Sequence, residues 1–254
     1  MSTTDRRPVA LVTGAAQGLG HATALRLAAD GFSVAVNDIS DDGRLAALAG
    51  RIGGLAVPAD IADGEAAAWL AGTVADKLGG VDVLIANAAA MWMGDFLTQD
   101  PVVWWRQIDV NLSGHFRLLQ AVVPHMRAAR GGRIVLVASE WGVSGHANAT
   151  AYAASKAGLI ALAKGLGREL APQGILTNAV APAYIDTEQL RVDAEDAGIT
   201  LEEMRDQYRA LIPIGRLSTV GDIAGAIAFL AGPGGSAFVG QIVQPSGGVV
   251  RTRA

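Results

Sequence analysis

The sequence predicts an α/β fold: one doubly wound parallel sheet of about seven strands, with helices on both faces. Three observations lead there. Short β-branched or aliphatic runs alternate with longer Ala- and Leu-rich stretches along the whole chain. The short runs are almost wholly apolar, as strands covered on both faces must be. The chain has 254 residues, 51% of them hydrophobic and 17% charged, which suffices for one large core and excludes a disordered chain.

The elements follow in order. VALVT (9–13) reads as the first strand, and a helix over 18–30 runs to a stop at Gly31. SVAVN (33–37) and a helix over 41–51 come next, then GLAVPA (54–59) and a helix over 63–78 capped by Asp63. VDVLIAN (81–87) precedes a long helical stretch, 101–128, that Gly131 ends. GRIVLVAS (132–139), a helix over 151–171 and ILTNAVAP (175–182) continue the alternation. A helix over 219–231 with Thr219 as its cap and the strand GQIVQPS (240–246) complete it. Residues 183–212 break the rhythm, being charged and helical in pattern without a strand, and suit a flap over a site. No linker or fixed-period repeat divides residues 1–254, so a single domain is expected.

Bulk properties narrow the function. A net charge of −4 and an isoelectric point of about 5.5 favour neither nucleic acid nor anionic membranes as partners. The N-terminal stretch has no apolar core of signal-peptide length, and no apolar run reaches the roughly 18 residues of a membrane helix. The chain has no cysteine, and its four histidines lack paired ligand spacing, so no metal site is expected. These features together suggest a cytoplasmic protein.

VTGAAQGLG follows the first strand and opens the first helix, with glycines at Gly14, Gly18 and Gly20. Glycines here let the backbone turn tightly and approach a pyrophosphate, whose charge a helix N-terminus stabilises. The expectation is a Rossmann-type domain that binds a dinucleotide. Asp38 ends the second strand, where a carboxylate accepts hydrogen bonds from the adenosine ribose. The same charge would repel the extra phosphate of NADP. Two like charges about 4–5 Å apart cost roughly 1–4 kcal/mol, a preference of about tenfold to several-hundredfold. Gln17, Ile39 and Ser40 supply no opposing cation, so NAD is expected over NADP.

The spacing TGxxxGxG, then Asn87-Ala88, Asn111, Ser139 and Tyr152-x-x-x-Lys156, resembles the short-chain dehydrogenase/reductase family from about residue 9 to 248. The resemblance implies a cofactor site of Gly14, Gln17, Gly18, Leu19 and Gly20, with Asp60 and Ile61 at the adenine. Asn87 and Ala88 would follow the fourth strand, Tyr152 and Lys156 would meet the nicotinamide ribose, and Pro182, Ile185 and Thr187 would hold the carboxamide. Two departures stand out. Ala86-Asn87-Ala88-Ala89 replaces the family's Asn-Asn-Ala-Gly, which would tighten backbone access at Ala89. Pro182-Ala183 replaces Pro-Gly, and Ala183 would send its loop along a different path.

Tyr152 and Lys156, four apart on a helix, share one face. A cation about 4.5 Å from the phenol would lower a pKa near 10 by roughly 2–3 units at an effective dielectric near 20. Ser139 would hydrogen-bond the reacting oxygen. Asn111 is unfavourable within a helix, so a specific use is expected. By resemblance it distorts the helix and anchors a proton relay to the lysine. The four residues together imply interconversion of a secondary alcohol and a ketone.

Pocket walls would come from Met91, Trp92, Met93, Glu140, Trp141, His146, Asn148 and Tyr184. Glu140 faces either solvent or the pocket. In the pocket its charge would need a partner, and a substrate hydroxyl or amine would serve. That suggests a polar, cyclic or sugar-like substrate and disfavours anionic ones. The alternatives are an NADP-linked 3-oxoacyl-thioester reductase and an NAD-sensing scaffold without turnover. Apolar residues on more than one side of helices 101–128 and 151–171 imply, with the resemblance, a homotetramer.

Overall fold

The computed structural model describes residues 6–40 and 42–250; the chain termini and residue 41, where the second helix was expected to start, lie outside them. Seven parallel strands form one sheet in the order β3-β2-β1-β4-β5-β6-β7. They are β1 (Val9–Thr13), β2 (Ser33–Asn37), β3 (Leu55–Ala56), β4 (Val83–Ala86), β5 (Gly132–Val137), β6 (Ile175–Val180) and β7 (Ile242–Val243). The two-residue strands β3 and β7 are shorter than expected because each is an edge strand with one neighbour. Beyond Ala56 the Val57 and Ala59 N–H groups still reach the Val36 and Asp38 carbonyls, but the Asn37 side chain takes the Val57 and Ala59 carbonyls and ends the regular ladder.

Alternation along each strand sorts the core into two halves. Val9 and Leu11 of β1 pack with α3 (Gly64–Leu78), α5 (His115–Ala128) and α7 (Thr150–Leu170). Ala10 and Val12 point the other way, to α1 (Gly18–Ala29), α2 (Arg44–Ile52) and α10 (Val220–Ala231). Strand order reverses direction between β1 and β4. The loops leaving their C-terminal ends therefore diverge and open a crevice.

Local signals place the helix ends. The Asp63 carboxylate accepts from the N–H groups of Glu65 (2.8 Å) and Ala66 (3.1 Å). Thr219 and Asp222 form a reciprocal capping box. Gly31 takes a left-handed φ of 93° after α1. The stop after α5 differs from expectation, because Arg130 takes the left-handed turn (φ 59°), not Gly131. Gly131 N–H donates to the Met126 carbonyl and Arg130 N–H to Arg127, a Schellman arrangement that sets the turn one residue earlier.

The stretch 101–128 is not one helix. It comprises α4 (Pro101–Ile108), a π-helical turn over Asp109–Gly114, and α5. A short helix, α6 (Trp141–Ser144), had no periodic signal. The flap region holds α8 (Glu188–Asp196) and α9 (Leu201–Leu211), which share a small core of Leu190, Ala194, Met204, Ile212 and Leu217. A parallel bridge between Ile185 and Ser218 closes its base. Among the described residues no helix is long and apolar enough to cross a membrane.

Arg130 is exposed and pays for a left-handed backbone that glycine adopts freely. Arg130→Gly should raise stability by about 0.5–1 kcal/mol, after the extra unfolded-state freedom of glycine is subtracted. Urea denaturation measures this, and a destabilised variant would contradict it.

Candidate active site

A cavity of about 690 Å³ fills the crevice between β1 and β4. Gly14, Gln17, Gly18, Leu19 and Asp38 line one side of it, Asp60 and Ile61 another, and Asn87, Ala88 and Thr187 the rest. Two glycines make the cradle. A Cβ on Gly14 would lie 2.8 Å from the Ala88 Cα, and one on Gly20 would lie 2.1 Å from the Gly14 carbonyl oxygen. Gly20 thus serves the packing beneath the loop and does not line the cavity. No side chain caps the N-terminus of α1, whose first amides face the loop.

Asp38 is oriented by the loop. Its Oδ2 accepts from Ala16 N–H (3.0 Å) and its Oδ1 from Ile39 N–H (2.9 Å), which leaves further lone pairs on the carboxylate. Sequence proximity pointed to no cation at this end. The fold brings one from α2: Arg44 pairs with Asp42 at 2.6 Å and donates to the Gln17 side chain. A second residue missed from sequence is Arg106, which lines the cavity and donates to Asp60 Oδ2 at 2.9 Å.

The loop after β4 is held by side chains that imitate peptide pairing. Thr13 Oγ1 accepts from the N–H groups of Asn87 (3.0 Å) and Ala88 (3.1 Å). Asn87 Nδ2 donates to the carbonyls of Thr13 (2.9 Å) and Gly14 (3.1 Å). Asn111, inside the π turn, accepts from Ala90 N–H and donates to Ala90 O, both at 2.8 Å. Gln107 repeats this on Trp92, at 3.2 and 2.9 Å. His115 Nε2 donates to Ala88 O at 2.9 Å. Residues 88, 90 and 92 advance by two along the extended loop while 115, 111 and 107 retreat by four down the helix. Side chains spaced by a helical turn therefore meet every second peptide of the loop. Gln107 and His115 were not singled out from sequence.

The charge states are set by burial. Burial, with the nearby Lys156 charge, pushes the His115 imidazole down to about 3, so it is neutral and its Nε2 carries the proton. Lys156 is 1% exposed, its Nζ donates to the Val137 carbonyl at 2.7 Å, and burial lowers its pKa to about 7. The Tyr152 phenol is pushed up to about 12, chiefly by burial; the Ser139 hydrogen bond opposes this and the Asp193 charge adds to it. The expected downward shift of the phenol is thus reversed. Lys156 Nζ lies 5.4 Å from the Tyr152 ring centroid and spends a hydrogen bond on Val137, so burial outweighs its attraction. Asn111 sits within the π turn, the helix distortion expected of it. Its side chain is taken up by Ala90 and, at 3.3 Å, by Ser155 beside Lys156.

Two further compartments border the cavity between β1 and β4. The inner one, about 180 Å³, is lined by Ser139, Tyr152, Glu140, Trp141, Tyr184 and Ile185 among others. The outer one, about 790 Å³, is lined by Met91, Trp92, Met93 and Asn148, and by Met204 and Tyr208 from the flap. Met91, Asp193 and Tyr208 border both. Thr187 forms a wall common to the inner compartment and the dinucleotide-sized cavity. His146 lines neither compartment; it stacks on Trp141 at 3.9 Å and supports that wall. Pro182 is buried behind the site, where its carbonyl accepts from Glu140 N–H at 2.8 Å. Glu140 faces inward, 4% exposed, and its Oε2 accepts from the Ser144 hydroxyl at 3.0 Å. Neither Ala89 nor Ala183 adopts a positive φ, so alanine replaces glycine there without strain.

A family model described as Enoyl-(Acyl carrier protein) reductase matches residues 14–250. The chain is 35% identical to a 3-oxoacyl-[acyl-carrier-protein] reductase of Staphylococcus epidermidis, over 94% of this chain and 98% of that one. A Staphylococcus aureus protein of the same description shares 35% identity over 94% and 97%. A short-chain dehydrogenase/reductase of Hericium erinaceus shares 36% identity over 94% and 96%. With its parallel sheet, switch-point crevice and glycine cradle, the chain is an oxidoreductase of the short-chain dehydrogenase/reductase family.

Proposed function

We propose that the protein interconverts a secondary alcohol and a ketone with NAD, acting on a small polar substrate. The observation that carries this is the shared Thr187 wall: the crevice fitted to a dinucleotide meets a compartment holding the Ser139 and Tyr152 hydroxyls. Gly14, Gln17, Gly18 and Leu19 would hold the pyrophosphate, Asp38 the adenosine ribose, and Asp60 with Ile61 the adenine. Asn87, Ala88, Lys156, Ile185 and Thr187 would hold the nicotinamide half. When bound, the nicotinamide supplies or accepts the hydride.

The chain's own residues handle the proton. With its pKa near 12, the Tyr152 phenol is protonated at neutral pH and acts as the proton donor to a ketone oxygen. Ser139, bonded to the same phenol, donates to that oxygen and stabilises its growing charge. Lys156 is the cation beside the phenolate left behind. This complete set argues against a scaffold without turnover. A second reading, reduction of a 3-oxoacyl thioester, is favoured by the outer compartment, whose three methionines suit a long apolar tail. Against it stand the Glu140 and Asp193 charges at the inner end. The cysteine-free sequence is compatible with a reducing cytoplasmic setting.

Asp38 lines the cavity, whereas Arg44 is neutralised by Asp42 and does not. NAD should therefore bind at least about tenfold more tightly than NADP, and Asp38→Ala should narrow the gap. Fluorescence titration with both cofactors measures it; equal affinities for the parent protein would contradict the role given to Asp38.

Tyr152→Phe removes only the hydroxyl, so kcat should fall by about 10²- to 10⁴-fold with cofactor affinity nearly kept. Lys156→Ala should damage both. Wild-type turnover by the phenylalanine variant, on a substrate that the parent oxidises or reduces, would refute the assignment.

We also propose a homotetramer through α4, α5 and α7. Val102 (75% exposed), Trp105 (63%) and Phe116 (49%) leave a large apolar surface on α4 and α5. Light scattering should give four chains per particle at micromolar concentration, and Trp105→Glu with Phe116→Glu should dissociate it. A monomeric parent protein would rule the tetramer out.

A further inference from the structure

The inner compartment has an unusual electrostatic character for a site expected to take a ketone. Among its lining residues are two carboxylates, Glu140 and Asp193, and no lysine, arginine or histidine. The two come from different elements. Glu140 stands at the start of α6, fixed by its N–H to Pro182 O. Asp193 descends from α8 in the flap and borders the passage to the outer compartment.

Glu140 is the more demanding of the pair. Its carboxylate is almost fully buried, forms no ion pair among the described residues, and receives a side-chain hydrogen bond from one neutral hydroxyl, that of Ser144. A buried carboxylate with one neutral donor is poorly compensated, and a cation entering the compartment would complete it. The fields of both groups extend across the compartment. Burial raises all three phenols, and Glu140 adds to it at Tyr184 and Asp193 at Tyr152 and Tyr208.

The third wall is aromatic. Tyr184 and Tyr208 stack at 4.1 Å with an interplanar angle of 22°, and both line the compartment. Aromatic faces attract cations and are indifferent to neutral hydroxyls. Carboxylates on two sides and a tyrosine pair on another are the surroundings an alkylammonium prefers. A polyol would meet acceptors at the carboxylates but gain nothing from the ring faces.

We propose that the substrate carries a protonated amine, held between Glu140 and Asp193 against the Tyr184–Tyr208 pair, so that the enzyme acts on an amino alcohol or amino ketone. The proposal rests on the alcohol–ketone reading above and narrows it. It also predicts exclusion of anionic substrates, because two carboxylates at one end of the compartment oppose them.

The test compares two six-membered-ring alcohols differing in one group: 3-hydroxypiperidine, whose ring amine is protonated at pH 7, and cyclohexanol, each oxidised with NAD. The parent enzyme should favour the amine by at least about tenfold in kcat/KM. Glu140→Gln and Asp193→Asn should each lower that ratio at least about fivefold. Using the ratio cancels any general damage to the fold, and two variants on separate elements guard against local collapse of either one. Equal kcat/KM for the two alcohols, or a preference that both variants retain, would overturn the amine while leaving the alcohol–ketone reading intact. Absence of turnover with either alcohol would count against that reading instead. Calorimetric titration of piperidine onto the protein then decides the amine separately. Binding that weakens in both variants supports the proposal, and no binding overturns it.

Discussion

The site depends on the grip of one helix face on the loop that leaves β4. His115, Asn111 and Gln107 hold the peptides of Ala88, Ala90 and Trp92 in turn, and Thr13 with Asn87 fastens the near end to β1. The peptide groups that this part-exposed loop turns toward the helix must find partners. Here side chains provide them, because no strand lies alongside. The π turn over Asp109–Gly114 sits in the middle of this contact, where Asn111 must project toward Ala90. Ala88, Ala89 and Ala90 line the dinucleotide-sized cavity, while Met91 and Met93 line the outer compartment. One clamped segment thereby separates the cavities.

The electrostatics follow from the same packing. The clamp buries His115 against Lys156, and burial keeps the imidazole neutral, so it does not repel the ammonium further. Lys156 is left with a carbonyl, that of Val137, at the end of β5. Two groups with opposite tendencies result: a lysine whose pKa falls to about 7 and a tyrosine whose pKa rises to about 12. Such a pair is suited to proton donation by the phenol at neutral pH. The Asp193 carboxylate of the inner compartment holds the phenol protonated in the same sense, since a negative neighbour opposes a phenolate.

Much of this was legible in the sequence. Alternation of apolar runs revealed the strands, and Asp63, Thr219 and Gly31 marked element ends because their signals are local. The glycine loop and the Tyr152–Lys156 spacing were legible for the same reason. What sequence could not supply was contact between distant segments. Gln107 and His115 look like ordinary helix residues until residues 88–92 are laid beside them. Arg44 reaches Gln17 only because α2 starts where it does. Asp193 and Tyr208 enter the pocket through the fold of the flap, which carries no strand pattern to orient it. The direction of the Tyr152 shift was missed because charge proximity can be read from spacing, whereas depth of burial cannot. Arg130 in the left-handed region, with glycine one residue later, shows how a turn can move by one position when the hydrogen-bonding pattern decides it.

The central claim is that the clamped loop is a ready-made partition between dinucleotide and substrate. A crystal structure of the protein with NAD bound tests it most directly. The dinucleotide should lie along Gly14–Leu19 with its ribose at Asp38 and its nicotinamide end at Thr187. Ala88 and Ala90 should still be bonded to His115 and Asn111. A loop pulled off the helix, or a nicotinamide end placed away from Thr187, would contradict the account.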